Sequence, residues 1–274
     1  MHTTKTRLTP TQIAPDTFLI HDHHGEGEAP VSVALNSMVI RAAEPVVVDT
    51  GMAENRERYF DDVFSVVDPE DVRWVFISHD DVDHTGNLNE LMDECPNATA
   101  IVSWFMGERM GASLAVPPTR QRWVGDGDLI DVGDRVLRTV RPPIFDAPTT
   151  RGLLDPKTGV YWASDSFASP MLTPVRDVAD IDPSFWIDGM AMFNHYVSPW
   201  LALVDEQRFQ RTIDRVAQLQ PSTIAGCHTP VISGRRVVDA IEATRAVTSA
   251  VVPPQPDQSV LEQIQQALTV DAAA

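Results

Sequence analysis

The sequence is short of cysteine, of basic residues relative to acidic ones and of long apolar runs, and each shortage excludes a class of protein. Two cysteines among 274 residues are too few for a disulfide scaffold. No apolar stretch approaches the ~20 residues that a helix needs to span a bilayer. Residues 1–18 also lack the apolar core of a signal peptide. The sequence therefore predicts a cytoplasmic protein with reduced thiols and no membrane association.

The charge balance is strongly acidic, with 21 Lys and Arg against 39 Asp and Glu and a net formal charge of −18. A surface of this sign repels nucleic acid and anionic membranes, so neither is expected as the main partner. Hydrophobic residues make up 43% and charged residues 22%, which is typical of a globular protein rather than a disordered one. The length allows one large domain or two small ones.

Apolar patterning predicts a chain in which strands and helices alternate. Short apolar runs predict strands at 31–40, 45–48, 72–77, 99–102, 128–131, 135–140, 159–163 and 223–225. Amphipathic spacing predicts helices at 55–67, 85–95, 104–110, 205–218 and 236–249. This order indicates two β-rich halves with helices on the outside of each. We expect one domain at residues 1–250 and a peripheral tail at 251–274.

The strongest chemical feature is the segment 79–86, HDDVDHTG, which directly follows the predicted buried strand 72–77. It contains two histidines and three aspartates, and a loop at the end of a strand holds such ligands rigidly enough to bind metal. Alternation along the loop places His79, Asp81 and Asp83 on one side, and His84 can turn toward a second ion. The alternative is a polar turn with solvated histidines.

This segment resembles the signature of the metallo-β-lactamase superfamily. Three further segments resemble elements of that superfamily in the same order: 47–51 (VVDTG), 163–165 (ASD) and 226–228 (GCH). The resemblance implies an α+β fold, an αββα four-layer sandwich, with a dinuclear metal site at one edge of the two sheets.

The residue at position 81 separates branches of the superfamily. Hydrolases of the superfamily usually place a second histidine there, whereas Asp81 resembles the carboxylate of the flavodiiron proteins and of the oxygen-binding diiron proteins. The segments 36–40, 88–92, 95–98 and 194–199 are also similar to that branch.

The resemblance implies seven metal ligands. They are His79, Asp81 and Asp146 for one ion, Asp83, His84 and His228 for the other, and Asp165 as a bridge. Asp146 stands where the branch carries a histidine, and an aspartate before Ala-Pro is also a common turn residue. An oxygen-rich set favours iron or manganese over zinc, so two iron ions are expected, with zinc or manganese as the alternatives.

Three further histidine and tyrosine residues are expected in or near the pocket: His24, His195 and Tyr196. His24 resembles the branch's pocket histidine, whereas the run His-Asp-His-His that contains it could equally be a solvated loop. His195 and Tyr196 either line the pocket or pack beneath a loop. Cys227 is expected to be a small buried filler rather than a nucleophile, since no catalytic base is paired with it by spacing.

Two functions follow from these features. The first is a non-haem diiron centre that binds or reduces dioxygen or nitric oxide. No FMN-binding domain is expected in this chain, so an external flavin or rubredoxin-type reductase would supply electrons. The second is a hydrolase that cleaves an ester, lactone or phosphoester with a bridging hydroxide. Asp81 and the segment 194–199 favour the first. A binding module with a degenerate site is the least favoured alternative, and the resemblance also implies a homodimer.

Overall fold

The computed structural model describes residues 6–27 and 29–271, and this part of the chain contains strands and helices in alternation. The strands are β1 (Thr11–Ala14), β2 (Thr17–Ile20), β3 (His23–His24), β4 (Val33–Ala34), β5 (Ser37–Ile40), β6 (Val46–Val48), β7 (Trp74–Phe76), β8 (Thr99–Val102), β9 (Gln121–Trp123), β10 (Leu129–Asp131), β11 (Val136–Val140), β12 (Gly152–Asp155), β13 (Val160–Trp162), β14 (Thr223–Gly226) and β15 (Thr229–Ser233). The α-helices are α1 (Arg56–Phe64), α2 (Val82–Thr85), α3 (Leu88–Glu94), α4 (Trp104–Met110), α5 (Pro183–Val197), α6 (Glu206–Gln218), α7 (Arg235–Ala246) and α8 (Gln258–Asp271).

The strands form two large sheets and one small one. The first sheet has the order β1-β2-β5-β6-β7-β8-β9, the second has the order β10-β11-β12-β13-β14-β15, and β3 pairs with β4 alone. Strands β6 to β9 are parallel neighbours, so each connection between them must cross over. Helices α1, α3 and α4 lie in those three connections. The loops that follow β6 and β7 therefore lie side by side at one edge of the first sheet.

Alternation along the strands divides the core into layers. In β6, Val46 and Val48 lie in the core between the two sheets, whereas Val47 lies in the core that α1, α3 and α4 cover. In β13, Trp162 faces the first sheet and Tyr161 faces α5, α6 and α7. Each sheet thus has one face against the other sheet and one against helices. The predicted αββα sandwich is confirmed.

Several elements differ from the sequence prediction, since no predicted run covered β1, β2, β9, β12 or β15. The predicted strand 31–40 is interrupted between β4 and β5, because the Asn36 amide turns away and donates to the carbonyl oxygens of Gly226 (3.2 Å) and Thr229 (2.8 Å). The apolar pattern also failed to reveal α5. Its start does carry a signal: the Asp182 carboxylate caps the helix by accepting from backbone N–H groups of its first turn, and Pro183 is its first residue.

The segment from residue 251 onward follows α7, one of the helices that cover the second sheet. The Tyr196 hydroxyl donates to the carbonyl oxygens of Pro253 and Pro254, which holds the start of this segment against α5. Helix α8 comes next and is longer than the one or two helical turns that the sequence indicated. The division at residue 250 stays a prediction. None of the helices in the described ranges combines the length and apolar character needed to cross a membrane.

Candidate metal centre

Seven polar side chains converge at the edge where loops of both sheets meet. They come from four loops, which follow β7, β11, β13 and β14. We call this set the seven-residue cluster: His79, Asp81, Asp83, His84, Asp146, Asp165 and His228. Ligand atoms of these residues fall into overlapping groups whose members lie within 4.8 Å of one another. The structure therefore brings together side chains separated by up to 149 positions of sequence.

The first group is centred on Nε2 of His79. This atom lies 3.7 Å from Oδ2 of Asp81, 3.8 Å from Oδ1 of Asp146 and 3.4 Å from Oδ2 of Asp165. His79 is fully buried, whereas the Asp81 side chain is 50% exposed. The group is thus open to solvent on the Asp81 side, and a small molecule can approach it from there.

The second group lies around Oδ2 of Asp83. This oxygen is 3.6 Å from Nε2 of His84 and 3.2 Å from Nε2 of His228. Asp165 lies between the groups, because its Oδ1 is 3.0 Å from His84 and 3.5 Å from His228 while its Oδ2 faces His79. Its two oxygens therefore face different groups, as a bridging carboxylate requires.

Each histidine of the cluster has Nδ1 engaged and Nε2 directed at its partners. Nδ1 of His228 donates to the carbonyl oxygen of Ala34 (2.9 Å), and Nδ1 of His79 pairs with the Ser164 hydroxyl (3.1 Å). Nδ1 of His84 donates to a carboxylate, described next. A carbonyl or carboxylate can only accept, so in His228 and His84 the proton sits on Nδ1 and the lone pair of Nε2 is free. This is the arrangement in which imidazole binds metal.

Asp49 orients His84 from behind. Its Oδ2 lies 2.8 Å from Nδ1 of His84 and also accepts from the Ser78 hydroxyl (2.7 Å) and from Nε1 of Trp162 (3.0 Å), while its Oδ1 accepts from the Ser78 backbone N–H (2.6 Å). Asp49 adopts a φ of +58°, which an aspartate tolerates better than most residues. The sequence marked Asp49 only as part of a strand-and-turn element, and its hydrogen bonds depend on contacts across both sheets.

Asp80 acts differently from its acidic neighbours. Its carboxylate accepts from Nε of Arg109 on α4 and from the Thr149 hydroxyl, and it takes no part in the ligand groups. The backbone N–H of Arg151 also donates to the carbonyl oxygen of Ser78 (2.7 Å). These bonds tie the loop that carries Asp146 to the loop after β7, so Asp80 positions Asp146 relative to His79.

The hydrogen bonding of the cluster fits a bound cation. Four buried polar atoms without a hydrogen-bond partner lie at this one point: Nε2 of His79, Nε2 of His84, Oδ1 of Asp146 and Oδ1 of Asp165. Native structures leave few such atoms, and each requires an explanation. Metal ions would satisfy all four, and four carboxylates offset the charge of two divalent ions. The residues present therefore fit a dinuclear metal site.

The pKa shifts within the cluster also fit a bound cation. Burial would raise the pKa of the Asp165 carboxyl, but His79, His228 and His84 hold it well below its ordinary value. Burial and the neighbouring His84 would lower the pKa of the His79 imidazole, yet the surrounding carboxylates outweigh both and raise it. Burial, followed by the charge of Asp165, raises the pKa of Asp146. The carboxylates of the cluster thus repel one another, and a bound cation would supply positive charge that offsets this repulsion.

None of the residues predicted to line the pocket belongs to a ligand group. His24 is exposed on β3 and belongs to none of the ligand groups. Nε2 of His195 bonds to the carbonyl oxygen of Val247 (2.7 Å), and Tyr196 binds the C-terminal segment. Both α5 side chains therefore pack under the chain that follows α7, which was the alternative left open. Phe193 is the α5 residue that reaches the cluster, with its ring centroid 5.6 Å from that of His228.

Comparison with known proteins agrees with this geometry. The family model of the metallo-beta-lactamase superfamily matches residues 18–150. The "Putative diflavin flavoprotein A 3" of Nostoc sp. (strain PCC 7120) is 27% identical over 154 residues, which are 55% of this chain and 27% of that protein. The anaerobic nitric oxide reductase flavorubredoxin of Salmonella typhi is 25% identical over 150 residues, 54% of this chain and 31% of that protein. The chain thus spans less than a third of the length of either relative.

The fold has solved counterparts. Rubredoxin oxygen:oxidoreductase from Desulfovibrio gigas superposes with a TM-score of 0.76 at 16% identity, over 88% of this chain and 62% of that one. At this identity the likeness shows a shared fold. It extends the match well beyond residue 150, into the second sheet that carries Asp165 and His228.

Proposed function

We propose that this chain, which carries a metallo-β-lactamase domain and fits the flavodiiron branch of that superfamily, holds two iron ions and binds or reduces dioxygen or nitric oxide at them. One observation carries the proposal: the seven-residue cluster joins four carboxylates and three imidazoles in overlapping ligand groups. Oxygen-rich sets favour iron or manganese over zinc. A hydrolase is less supported, because the relatives are named for flavin and nitric oxide chemistry.

In this proposal the ligands divide as the sequence predicted. His79, Asp81 and Asp146 hold one ion, Asp83, His84 and His228 hold the other, and the two oxygens of Asp165 bridge them. When bound, the iron pair would supply the electrons that reduce the diatomic molecule. The four carboxylates stabilise the higher charge of the oxidised pair.

The surrounding side chains control orientation and access. Asp49 and the carbonyl oxygen of Ala34 orient the rings of His84 and His228, respectively. Nε2 of each ring therefore faces the other ligands of the cluster. The half-exposed Asp81 marks the open side, where a diatomic molecule enters. The Phe193 ring packs against that of His228, which restricts the position of the His228 ring.

The electron donor is a separate part of the proposal. The match covers 31% of the flavorubredoxin, whose name includes both flavin and rubredoxin. We propose that a flavin or rubredoxin-type reductase passes electrons to the iron pair on this chain. The homodimer expected from the sequence stays a prediction.

Metal analysis combined with gas consumption tests the proposal. Protein expressed in iron-replete medium should contain close to two Fe per chain and show a ligand-to-iron absorption band in air. After chemical reduction without air, it should consume dioxygen or nitric oxide. Asp83→Ala and His84→Ala should each empty one position, whereas Asp93→Ala and His24→Ala, at exposed positions outside the cluster, should not. Two Zn per chain with rapid ester hydrolysis would instead support the hydrolase.

A further inference from the structure

Cys227 lies beside the second ligand group and was expected to be inert filler. Its side chain is fully buried, and its Sγ is 3.7 Å from Oδ2 of Asp83. Sγ lies within 4.8 Å of ligand atoms of Asp83, His84 and His228, so the four residues form one group. This group contains one sulfur, one oxygen and two nitrogen donors.

The backbone of Cys227 is fixed from both sides. Its N–H donates to the carbonyl oxygen of Ser164 (2.9 Å), and its carbonyl oxygen accepts from the N–H of Asn36 (2.9 Å). Ser164 directly precedes Asp165, and Asn36 lies between β4 and β5. The sulfur is therefore held near the cluster by the same contacts that hold the loops together.

The three distances from Oδ2 of Asp83 are close to the edges of a coordination tetrahedron. For metal–nitrogen and metal–oxygen bonds of about 2.0–2.1 Å and a metal–sulfur bond of about 2.3 Å, the edges are about 3.4 Å between nitrogen and oxygen and about 3.6 Å between sulfur and oxygen. Oδ2 of Asp83 lies 3.2 Å from Nε2 of His228, 3.6 Å from Nε2 of His84 and 3.7 Å from Sγ of Cys227. These distances are those expected for donors of one ion, with Oδ1 of the bridging Asp165 as an additional donor.

A second observation is independent of the sulfur. Nε2 of His84 is buried and has no hydrogen-bond partner, and it faces the same space. An unpaired ring nitrogen in a fully buried side chain is costly unless something binds it. The unpaired Nε2 of His84 therefore also fits a cation bound within this group.

We infer that Cys227 is a ligand of the second metal position, together with Asp83, His84 and His228. On binding, the thiol releases its proton to solvent and the thiolate forms the metal–sulfur bond. The two positions then differ in chemistry: the first has His79 and carboxylates, and the second has a soft thiolate, which favours zinc or ferrous iron. This inference rests on the dinuclear centre of the proposed function.

Cobalt substitution tests the inference, because thiolate-bound Co²⁺ gives a charge-transfer band in the near ultraviolet. The full-length protein loaded with Co²⁺ should show this band, and Cys227→Ser should lose it. Cys227→Ser should also lower the affinity for the second Co²⁺. Loss of a residue that only hydrogen-bonds to a metal ligand lowers affinity by roughly 10–100-fold, and loss of a ligand should cost at least as much. Cys95→Ser is the matched control, since Cys95 is equally buried but lies in the core under α3.

X-ray absorption on the unaltered zinc-loaded protein gives a readout that needs no variant. A zinc–sulfur distance of about 2.3 Å should appear in the averaged shell. Two bound ions with neither the band nor the sulfur would overturn the role of Cys227 and leave the dinuclear centre standing. Failure to bind any Co²⁺ or Zn²⁺ would overturn both proposals.

Discussion

Oδ2 of Asp49 lies 2.8 Å from Nδ1 of His84, and both side chains are fully buried. The carboxylate reaches this position from β6 in the first sheet and also accepts from Trp162 in the second. A single acidic side chain thus joins the two sheets and sets the orientation of a proposed ligand. Its removal should affect both stability and metal binding.

Asp49→Asn should weaken metal binding at the second position by about 10–100-fold, because the amide does not reproduce the charge-assisted bond to His84. Competitive titration against a chelator measures the change. Asp155→Asn provides the control, since Asp155 is equally buried but pairs with Arg135 outside the cluster. An unchanged metal affinity in Asp49→Asn would show that His84 is oriented without it.

Gly86→Ala should destabilise the loop that carries His84. A Cβ at Gly86 would lie 2.5 Å from the carbonyl oxygen of Gly51 and 2.6 Å from the backbone nitrogen of Ala53, so backbone must move. We expect a loss of about 1–3 kcal/mol in the free energy of unfolding and lower metal content. In Gly107→Ala the new Cβ meets no atom within 4 Å, and this α4 variant should gain up to about 1 kcal/mol. Equal effects in urea unfolding would contradict this account.

Asp155→Ala should be strongly destabilising, because it leaves the buried Arg135 guanidinium short of a partner. The two side chains are 1% and 2% exposed and lie 3.1 Å apart. Breaking a buried pair of this kind costs about 3–5 kcal/mol, and the low end is expected because Asp134 also pairs with Arg135. Asp134→Ala removes the more exposed partner and should cost about 1 kcal/mol or less. Chemical denaturation of both variants compares them directly.

His21 should make stability depend on pH. Burial, followed by the charges of Arg176, Arg58 and His23, lowers the pKa of His21 from 6.5 to about 4. The unfolded chain therefore binds the proton more readily than the folded one between these values. The His21 contribution to stability is complete above pH 6.5 and is lost as the pH falls toward about 4.

The matching variant is His21→Gln, which can keep the bond to the Thr11 hydroxyl that His21 Nε2 makes at 3.1 Å. Urea unfolding above pH 6.5 and again midway between the two pKa values gives the loss of stability on acidification. That loss should be smaller in His21→Gln than in the unaltered protein. If the two lose the same amount, His21 is not the titrating group.

Much of the fold and the proposed ligand set could be predicted from the sequence for a physical reason. Short apolar runs and amphipathic runs with helical spacing are local, and they predicted β5 to β8, β10, β11, β13 and β14 and the helices α1, α3, α4, α6 and α7. The ligands are likewise recognisable by residue type within short segments such as 79–86. Helix α5 escaped because it is apolar on more than one face, although its capping by Asp182 was a usable signal.

Roles that depend on contacts between residues far apart in sequence are seen only in the folded protein. Cys227 and Asp83 are 144 positions apart, and no local pattern indicates that the thiol, which packs in the core between the sheets, would also lie 3.7 Å from the Asp83 carboxylate. The same holds for Asp49, whose partners come from both sheets, and for His195, which faces Val247 instead of the cluster. Residue types alone show which donor atoms the chain can offer to a metal ion. The packing of the two sheets places some of these donor atoms together in one cluster. The reason is that the direction of a side chain follows from which face of its strand or helix is buried.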